Sequence, residues 1–263
     1  MKRIFVSLAL AVTLTGCGIS QQQEVAMGQD YAQQINAQLP IVSDPEVNRY
    51  INVLGDQIAS RTSRADLDWR FYVVDSKEVN AFAVPGGYIY VNRGLIERTT
   101  KMDELAGVLG HEIGHVVRRH SIQQMEKAQG ANIGVTLACV LTNVCNSQAA
   151  GALINVAGGA VFARFSRQDE LEADQEAVAN TVRAGINPEG IVTMFEKLIA
   201  ERKSRPTAVE GWFATHPMEE DRIVKAEASI NAIPASQRAR LTQNSSNYNS
   251  FVSRIRSLPP PRR

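Results

Sequence analysis

The chain has 263 residues, long enough to bury a full-sized core as one large domain or two small ones. Apolar residues make up 44% and charged residues 21%, a balance that excludes wholesale disorder. With 28 basic against 27 acidic residues and no basic block, nucleic acid is not an expected partner.

The first stretch, "MKRIFVSLALAVTLTGC", opens on Lys2 and Arg3 and runs apolar from Ile4 to Leu14. That run is shorter than the ~20 residues a membrane span needs, so residues 1–16 read as a signal peptide. Leu14-Thr15-Gly16-Cys17 resembles the bacterial lipobox, whose cysteine is acylated and becomes the new N-terminus. Gly18 follows it rather than aspartate, which by the same resemblance favours the outer membrane. Losing Lys2 and Arg3 leaves 26 basic against 27 acidic residues. Export would place Cys139 and Cys145, an even pair, in an oxidising compartment, and a disulfide between them is expected. A continuous helix would separate them by a rise of ~9 Å, beyond the ~7 Å limit for a bridge, so the helix must break near Asn143 or Asn146.

Residues 17–40 form an anchor arm with a polar helix from Gln21 to about Leu39, which Pro40 stops. A domain over 41–233 follows. Its first helix has Ser43 as expected N-cap, Pro45 in the first turn, and Val47, Tyr50, Ile51 and Leu54 at helical spacing. "LDWRFYVVDS" alternates and reads as a strand. "NAFAVPGGYIYVNRGLI" gives two short strands around Pro85-Gly86-Gly87, then a helix start near Arg93. A single helix is expected from Asp103 to about Gln129. Residues 131–163 are small and apolar, but Asn143, Asn146, Ser147 and Gln148 cut the run into lengths too short to span, so a helical hairpin is expected. Further helices are expected from Ser166 to Gly185, from Asn187-Pro188 to about Arg202, and over "HPMEEDRIVKAEASI", with a loop over 205–215. Residues 234–263 form a C-terminal helix and tail, with "SLPPPRR" disordered. The fold class expected is α+β, predominantly helical.

Three of the four histidines fall in "VLGHEIGHVVRRH". On a helix His111 and His115, four apart, share one face and can present two imidazole nitrogens to one ion, as zinc requires. Glu112 lies about 100° around the axis, beside the metal, where it can take a proton from water and deliver it to a leaving amine. Leu105, Val108, Leu109, Ile113 and Val116 make the flanking faces apolar, so the motif sits in a buried helix where such groups need partners. His120, about 140° off the face of His115, is a poor third ligand. "DELEAD" offers Glu170 and Asp174 on one face of a second helix, and Glu172 on another. Glu170 is the expected third ligand, with Asp174 orienting a ligating histidine through its other nitrogen.

H-E-x-x-H followed by S-R-x-x-E-x-E-A-D over Ser166–Asp174 resembles the HtpX-like gluzincin peptidases, the family of the CAAX prenyl endopeptidases, in their periplasmic lipoprotein branch. "VNAFAVPGGYIYVNRGLI" and "THPMEEDRI" match two further elements of that family. The resemblance implies a catalytic helix pair beside a small sheet and one Zn2+ per chain. It implies a strand, Asn80, Ala81, Phe82, Ala83 and Val84, that holds extended peptide by strand addition. It brings His216 to the zinc, as oxyanion donor or as a mask over the metal at rest, with Arg222 nearby. The function implied is a lipid-anchored zinc endopeptidase of the bacterial envelope acting on unfolded or misfolded envelope polypeptides, touching the membrane only through its lipid. The alternatives are a chaperone or assembly factor that keeps the zinc fold with little cleavage, and a scaffold without metal. An intact Glu112 favours the enzyme, because a binder needs no general base.

Overall fold

The computed structural model describes residues 18–130, 164–218 and 220–259. The signal stretch, Cys17, the Cys139–Cys145 pair and the expected hairpin over 131–163 lie outside the described residues.

Helix α1, Gln21–Gln38, opens on a capping box between Ser20 and Gln23 and ends one residue before Leu39, whose extended backbone suits the following Pro40. Its composition is polar, yet Glu24, Gly28, Ala32 and Ile35 form a buried seam at helical spacing. Gly28 lies so close to the turn after the second strand that a Cβ would stand 1.9 Å from the Pro85 carbonyl oxygen. The segment expected as an arm is therefore packed on the domain.

Helix α2, Pro45–Ala59, buries Val47, Ile51, Leu54 and Ile58. Its N-cap is Asp44, not Ser43: Pro45 takes the first helical position, so the cap falls on the residue before it, and Asp44 Oδ1 accepts from the amides of Glu46 and Val47 at 3.1 Å each.

Strands β1 (Arg70–Val74), β2 (Ala81–Val84) and β3 (Tyr88–Asn92) form one sheet in the order β1-β3-β2, with β1 parallel and β2 antiparallel to β3. The period-two pattern sends Phe71, Val73, Ala81, Ala83, Ile89 and Val91 into the main core and Val74, Phe82, Val84 and Tyr90 to the other face, where Ile35 of α1 covers them. The small Ala81 and Ala83 make room for the helix that follows. After α3 (Arg93–Ile96) comes that helix, α4 (Met102–Val117), with every side chain from Met102 to Val116 buried.

The single helix expected from 103 to 129 is broken. Helix α4 ends at Val117, Arg119 adopts a left-handed φ of 59°, and α5 runs His120–Gly130. No glycine or proline marks the break. The turn is held from a distance: Arg119 Nε donates to Glu24 Oε2 at 2.7 Å and its Nη2 donates to the Ile19 carbonyl.

Helix α6, Arg167–Arg183, starts with a capping box of Ser166 and Asp169, and Gly185 at φ +76° follows its end. Helix α7 is Glu189–Ser204. The expected loop over 205–215 contains a 3-10 turn, Pro206–Ala208, and a short helix, α8, Glu210–Thr215. Helices α9 (Glu220–Asn231), α10 (Ala235–Arg238) and α11 (Tyr248–Ser257) complete the described chain. Helix α11 returns to α2, with Phe251 stacked on Tyr50 at 4.3 Å. The start of the tail is also tied down, since Arg93 donates to the carbonyls of Leu258 and Pro259, the latter at 2.6 Å. The architecture is α+β and predominantly helical, with α4 at its centre between α6, α7 and the sheet.

Candidate metal centre

Helix α4 holds His111 and His115 one turn apart, and α6 holds Glu170 and Asp174 one turn apart on the face that packs against it. The residue after α8 brings His216 to the same point, and α9 brings Arg222. One donor atom from each of His111, His115, Glu170 and His216 lies within 4.8 Å of all the others, and all four residues are buried. His111 Nε2 is 3.1 Å from His115 Nε2 and 3.3 Å from His216 Nδ1. Glu170 Oε1 is 3.1 Å from His216 Nδ1 and 3.5 Å from His115 Nε2, and Glu170 Oε2 is 3.5 Å from His111 Nε2.

These separations fit zinc. Metal–donor bonds of ~2.0–2.1 Å in a tetrahedron place the donors about 3.3 Å apart. Charge fits as well. The carboxyls of Glu112, Glu170 and Asp174 are buried around one buried guanidinium, so a divalent cation would balance what Arg222 alone does not. Both Glu112 oxygens, His216 Nε2 and Trp212 Nε1 have no protein hydrogen-bond partner, and Glu170 Oε2 is met only by an ion pair with Arg222.

The ring around the donors is closely held. His111 Nδ1 lies 2.9 Å from Asp174 Oδ1, which fixes Nε2 as the nitrogen facing the centre. Arg222 grips Asp174 with two bonds, at 2.8 and 2.7 Å, and its Nη1 sits 2.6 Å from Glu170 Oε2. The same Nη1 donates to the Pro217 carbonyl at 3.0 Å, so the guanidinium also fixes the residue after His216. Its plane lies over Phe195, 4.8 Å from the ring centroid. Trp212 packs on His216 at 4.6 Å between centroids, and Phe165 stacks on His115 at 3.8 Å.

Electrostatics follow from burial and these neighbours. Burial drives the Glu112 carboxyl above the usual carboxylate range, against the pull of His216 and His111. Burial also pushes His115 well below an ordinary histidine, and the neighbouring His111 and His216 add to it. For Glu170 burial works upward, but His216 and Arg222 outweigh it and hold the carboxyl low. His216 is the converse case, raised by Glu170 and Glu112 in spite of burial.

His120 is where the sequence reading fell short. It is not among the four donors, but neither does it point away: its Nδ1 is 2.9 Å from His115 Nδ1. The turn at Arg119 resets the helical phase and returns the ring to His115. Glu172 is turned from the donors, as its spacing requires, and reaches His120 Nε2 at 3.5 Å. Phe165 was also missed, because nothing in the sequence ties it to His115.

Asn80 precedes β2, one of the two edge strands of the sheet. The Asn92 amide donates to the Asn80 carbonyl, so alternation directs the backbone groups of Ala81 and Ala83 away from β3 while Phe82 and Val84 pair with it. The outward amide of Ala81 is capped by Asn80 Oδ1 at 2.9 Å. A water-sized cavity beside this edge is lined by Ala83, Pro85, His115, Val116, Arg119 and Ser121, among others.

A sequence profile described as peptidase family M48 matches residues 45–230. The beta-barrel assembly-enhancing protease of Escherichia coli (strain K12) is 30% identical over 256 residues, covering 94% of this chain and 50% of that protein. Metalloprotease LoiP of the same organism is 26% identical over 242 residues, covering 84% of this chain and 94% of that protein. The mitochondrial metalloendopeptidase OMA1 of Schizosaccharomyces pombe is 29% identical over 178 residues, covering 68% and 51%. The chain spans about half the length of the first relatives it matches.

Proposed function

The chain belongs to peptidase family M48, and from that premise we propose that it is a zinc endopeptidase in which His111, His115 and Glu170 hold the metal. The observation that carries the proposal is the buried set of four donor atoms within 4.8 Å of one another, beside a carboxyl whose two oxygens accept no protein hydrogen bond. Zinc, when bound, polarises the scissile carbonyl and acidifies water. Glu112 supplies the proton chemistry. Its raised affinity for a proton suits a group that takes one from the attacking water and passes it to the departing amine. Asp174 keeps His111 in the ligating tautomer, and Arg222 fixes Asp174 and Glu170 together without itself being a donor. Substrate lies extended along Asn80–Val84 and adds to the edge of the sheet through the outward groups of Ala81 and Ala83 once Asn80 releases the Ala81 amide.

His216 masks the centre at rest. Its Nδ1 already stands among the donors, 3.3 Å from His111 Nε2. The Trp212 ring and the Arg222 bond to Pro217 hold it there.

The first relative's name couples proteolysis to β-barrel assembly. We extend to this chain a role on misfolded or unassembled envelope polypeptides. Residues 1–16 as an export signal, Cys17 as an outer-membrane lipid anchor and a Cys139–Cys145 disulfide belong to the same proposal and rest on the sequence.

The test is metal content together with degradation of an unfolded protein by the parent chain and by Glu112→Gln. Zinc near one per chain in both, with a rate loss on the order of 10²-fold or more in the variant, is expected. Near-normal turnover by Glu112→Gln would defeat the mechanism.

A further inference from the structure

The geometry points to His120 as the positioning residue for His115, an inference that rests on reading His111, His115 and Glu170 as the zinc donors. The two ring nitrogens of His115 have different neighbours. Nε2 faces the donor set, 3.1 Å from His111 Nε2 and 3.5 Å from Glu170 Oε1. Nδ1 faces away from it, 2.9 Å from His120 Nδ1.

Two ring nitrogens in hydrogen-bond contact must divide their roles, one donating and the other accepting. His115 Nε2 must keep its lone pair to bind a metal, so the proton of this ring is on Nδ1 and it donates. His120 then accepts with a bare Nδ1 and carries its own proton on Nε2. That nitrogen faces carboxylates, Glu172 Oε2 at 3.5 Å and Asp169 Oδ1 at 4.0 Å. The sequence ligand, accepting imidazole, carboxylate fixes the tautomer of both rings. His111 is oriented by the more familiar device, a carboxylate in direct contact, Asp174. The helix α6 thus serves both ligands from one short segment, Asp174 for His111 and the Asp169–Glu172 pair for His115 at one remove.

The backbone is arranged to make this contact. On an uninterrupted helix His120 would stand about 140° around from His115. The left-handed φ of 59° at Arg119 turns it back. That conformation is uncommon outside glycine and is held by Glu24 and by the Ile19 carbonyl. Phe165 stacks on the face of His115, so stacking and the His120 bond together leave the ligating ring one orientation.

Zinc affinity, measured on the full chain by competition with a chelating indicator, tests the idea with His120→Leu and His120→Asn. Asn Oδ1 stands close to where His Nδ1 stands and accepts a hydrogen bond, whereas Leu keeps bulk and accepts none. Affinity should fall about 10–100-fold in His120→Leu and be largely restored in His120→Asn. Equal losses in the two variants, or no loss in either, would overturn the inference. Long-range 1H–15N correlation on the zinc-loaded parent chain needs no substitution. It should show His120 protonated on Nε2 with Nδ1 bare, and a proton on His120 Nδ1 would overturn the inference whatever the variants do. A parent chain that takes up no zinc would instead remove the reading of the donor set, and this inference with it.

Discussion

Two buried ionic clusters flank the C-terminal half of α4, and they are built on opposite principles. One is Glu24 with Arg64 and Arg119. Glu24 Oε1 accepts from Arg64 Nη1 at 2.7 Å and from the Gly86 amide at 3.4 Å, and Oε2 accepts from Arg64 Nη2 at 3.1 Å and Arg119 Nε at 2.7 Å. Arg64 also donates to the Val116 carbonyl at 2.9 Å. No atom of this cluster is among the unsatisfied buried side-chain atoms of the described residues. The other cluster surrounds the donor set and holds five of the eight such atoms, two on Glu112 and one each on Glu170, Trp212 and His216. Of these, Glu170 Oε2 is met only by the Arg222 ion pair at 2.6 Å, and Glu112 Oε1 faces His216 Nε2 at 3.4 Å. Burial and charge do not separate the two clusters. Satisfaction does. A network whose bonds are all made is scaffold, whereas one that keeps buried groups unmet at a cost of roughly 1–3 kcal/mol each is waiting for a ligand.

Substitutions can break that contrast. The largest effect is expected at Glu170. Glu170→Ala should lower zinc affinity by more than the ~10–100-fold that loss of an orienting partner costs, while Glu172→Ala should stay within that range, because only Glu170 shares the donor face of α6. Metal titration of both variants decides it, and equal losses would reject the ligand assignment. Next is His216→Ala. As a mask, its removal should raise the basal cleavage rate about tenfold, the factor for a closed state favoured by ~1.4 kcal/mol. As an oxyanion donor, its removal should instead lower the rate roughly 100-fold. The sign of the change in a casein assay chooses between them.

Glu24→Gln probes the satisfied cluster. It leaves two guanidiniums without their carboxylate and should destabilise the fold by about 2 kcal/mol in urea unfolding. Zinc affinity should be lowered by no more than the ~10–100-fold that loss of the His120 contact costs, since Glu24 holds the turn at Arg119. A large loss of zinc with unchanged stability would mean the two clusters are not separate in kind. The smallest effect is expected at Asp103, a buried carboxyl with one unsatisfied oxygen, Oδ1, in the first turn of α4, away from the donors. Burial lifts its pKa to about 6 from an ordinary value near 4. The folded chain therefore holds this proton more tightly than the unfolded chain. The stabilisation from the neutral carboxyl is complete below pH ~4 and is lost as pH rises through about 6. Asp103→Asn keeps the neutral form at all pH, so it should stabilise by about 1 kcal/mol at pH 8 and by nothing at pH 4. Unfolding midpoints at the two pH values read this directly. A gain at pH 8 that left zinc binding untouched would show that an unmet group marks a site only when others surround it.

What could be read from the sequence depended on unbroken local periodicity. His111, His115, Glu170 and Asp174 are i, i+4 pairs inside continuous helices, so their faces followed from counting. The hairpin of β2 and β3 followed from alternation around Pro85-Gly86-Gly87, but the parallel docking of β1 beside β3 is a long-range choice that no local signal marks. His216 and Arg222 came from resemblance alone, since a six-residue helix such as α8 has too few turns to show a face. His120 stays outside the donor set as its spacing required, but its contact with His115 was not foreseen, because counting assumed one helix through Arg119, whose left-handed turn is enforced by Glu24, 95 residues earlier in the chain. The N-cap error at Ser43 was a matter of one residue, settled by the demand of Pro45 for the first helical position.

The stack of Tyr50 on Phe251 has a consequence for the order in which the molecule is made. Phe251 and Arg254, which pairs with Asp44 at 2.6 Å, close the core of α2 some 200 residues after that helix has been synthesised. The donor set itself spans His111 to His216 and is braced by Arg222. Contacts of such long sequence separation form late, because loop-closure entropy must be met before they return anything. A chain still emerging at its N-terminal half therefore carries H-E-x-x-H without Glu170, His216 or Arg222 beside it. The donor set is complete and braced only once Arg222 has been made, and the packing of α2 only once Phe251 and Arg254 follow.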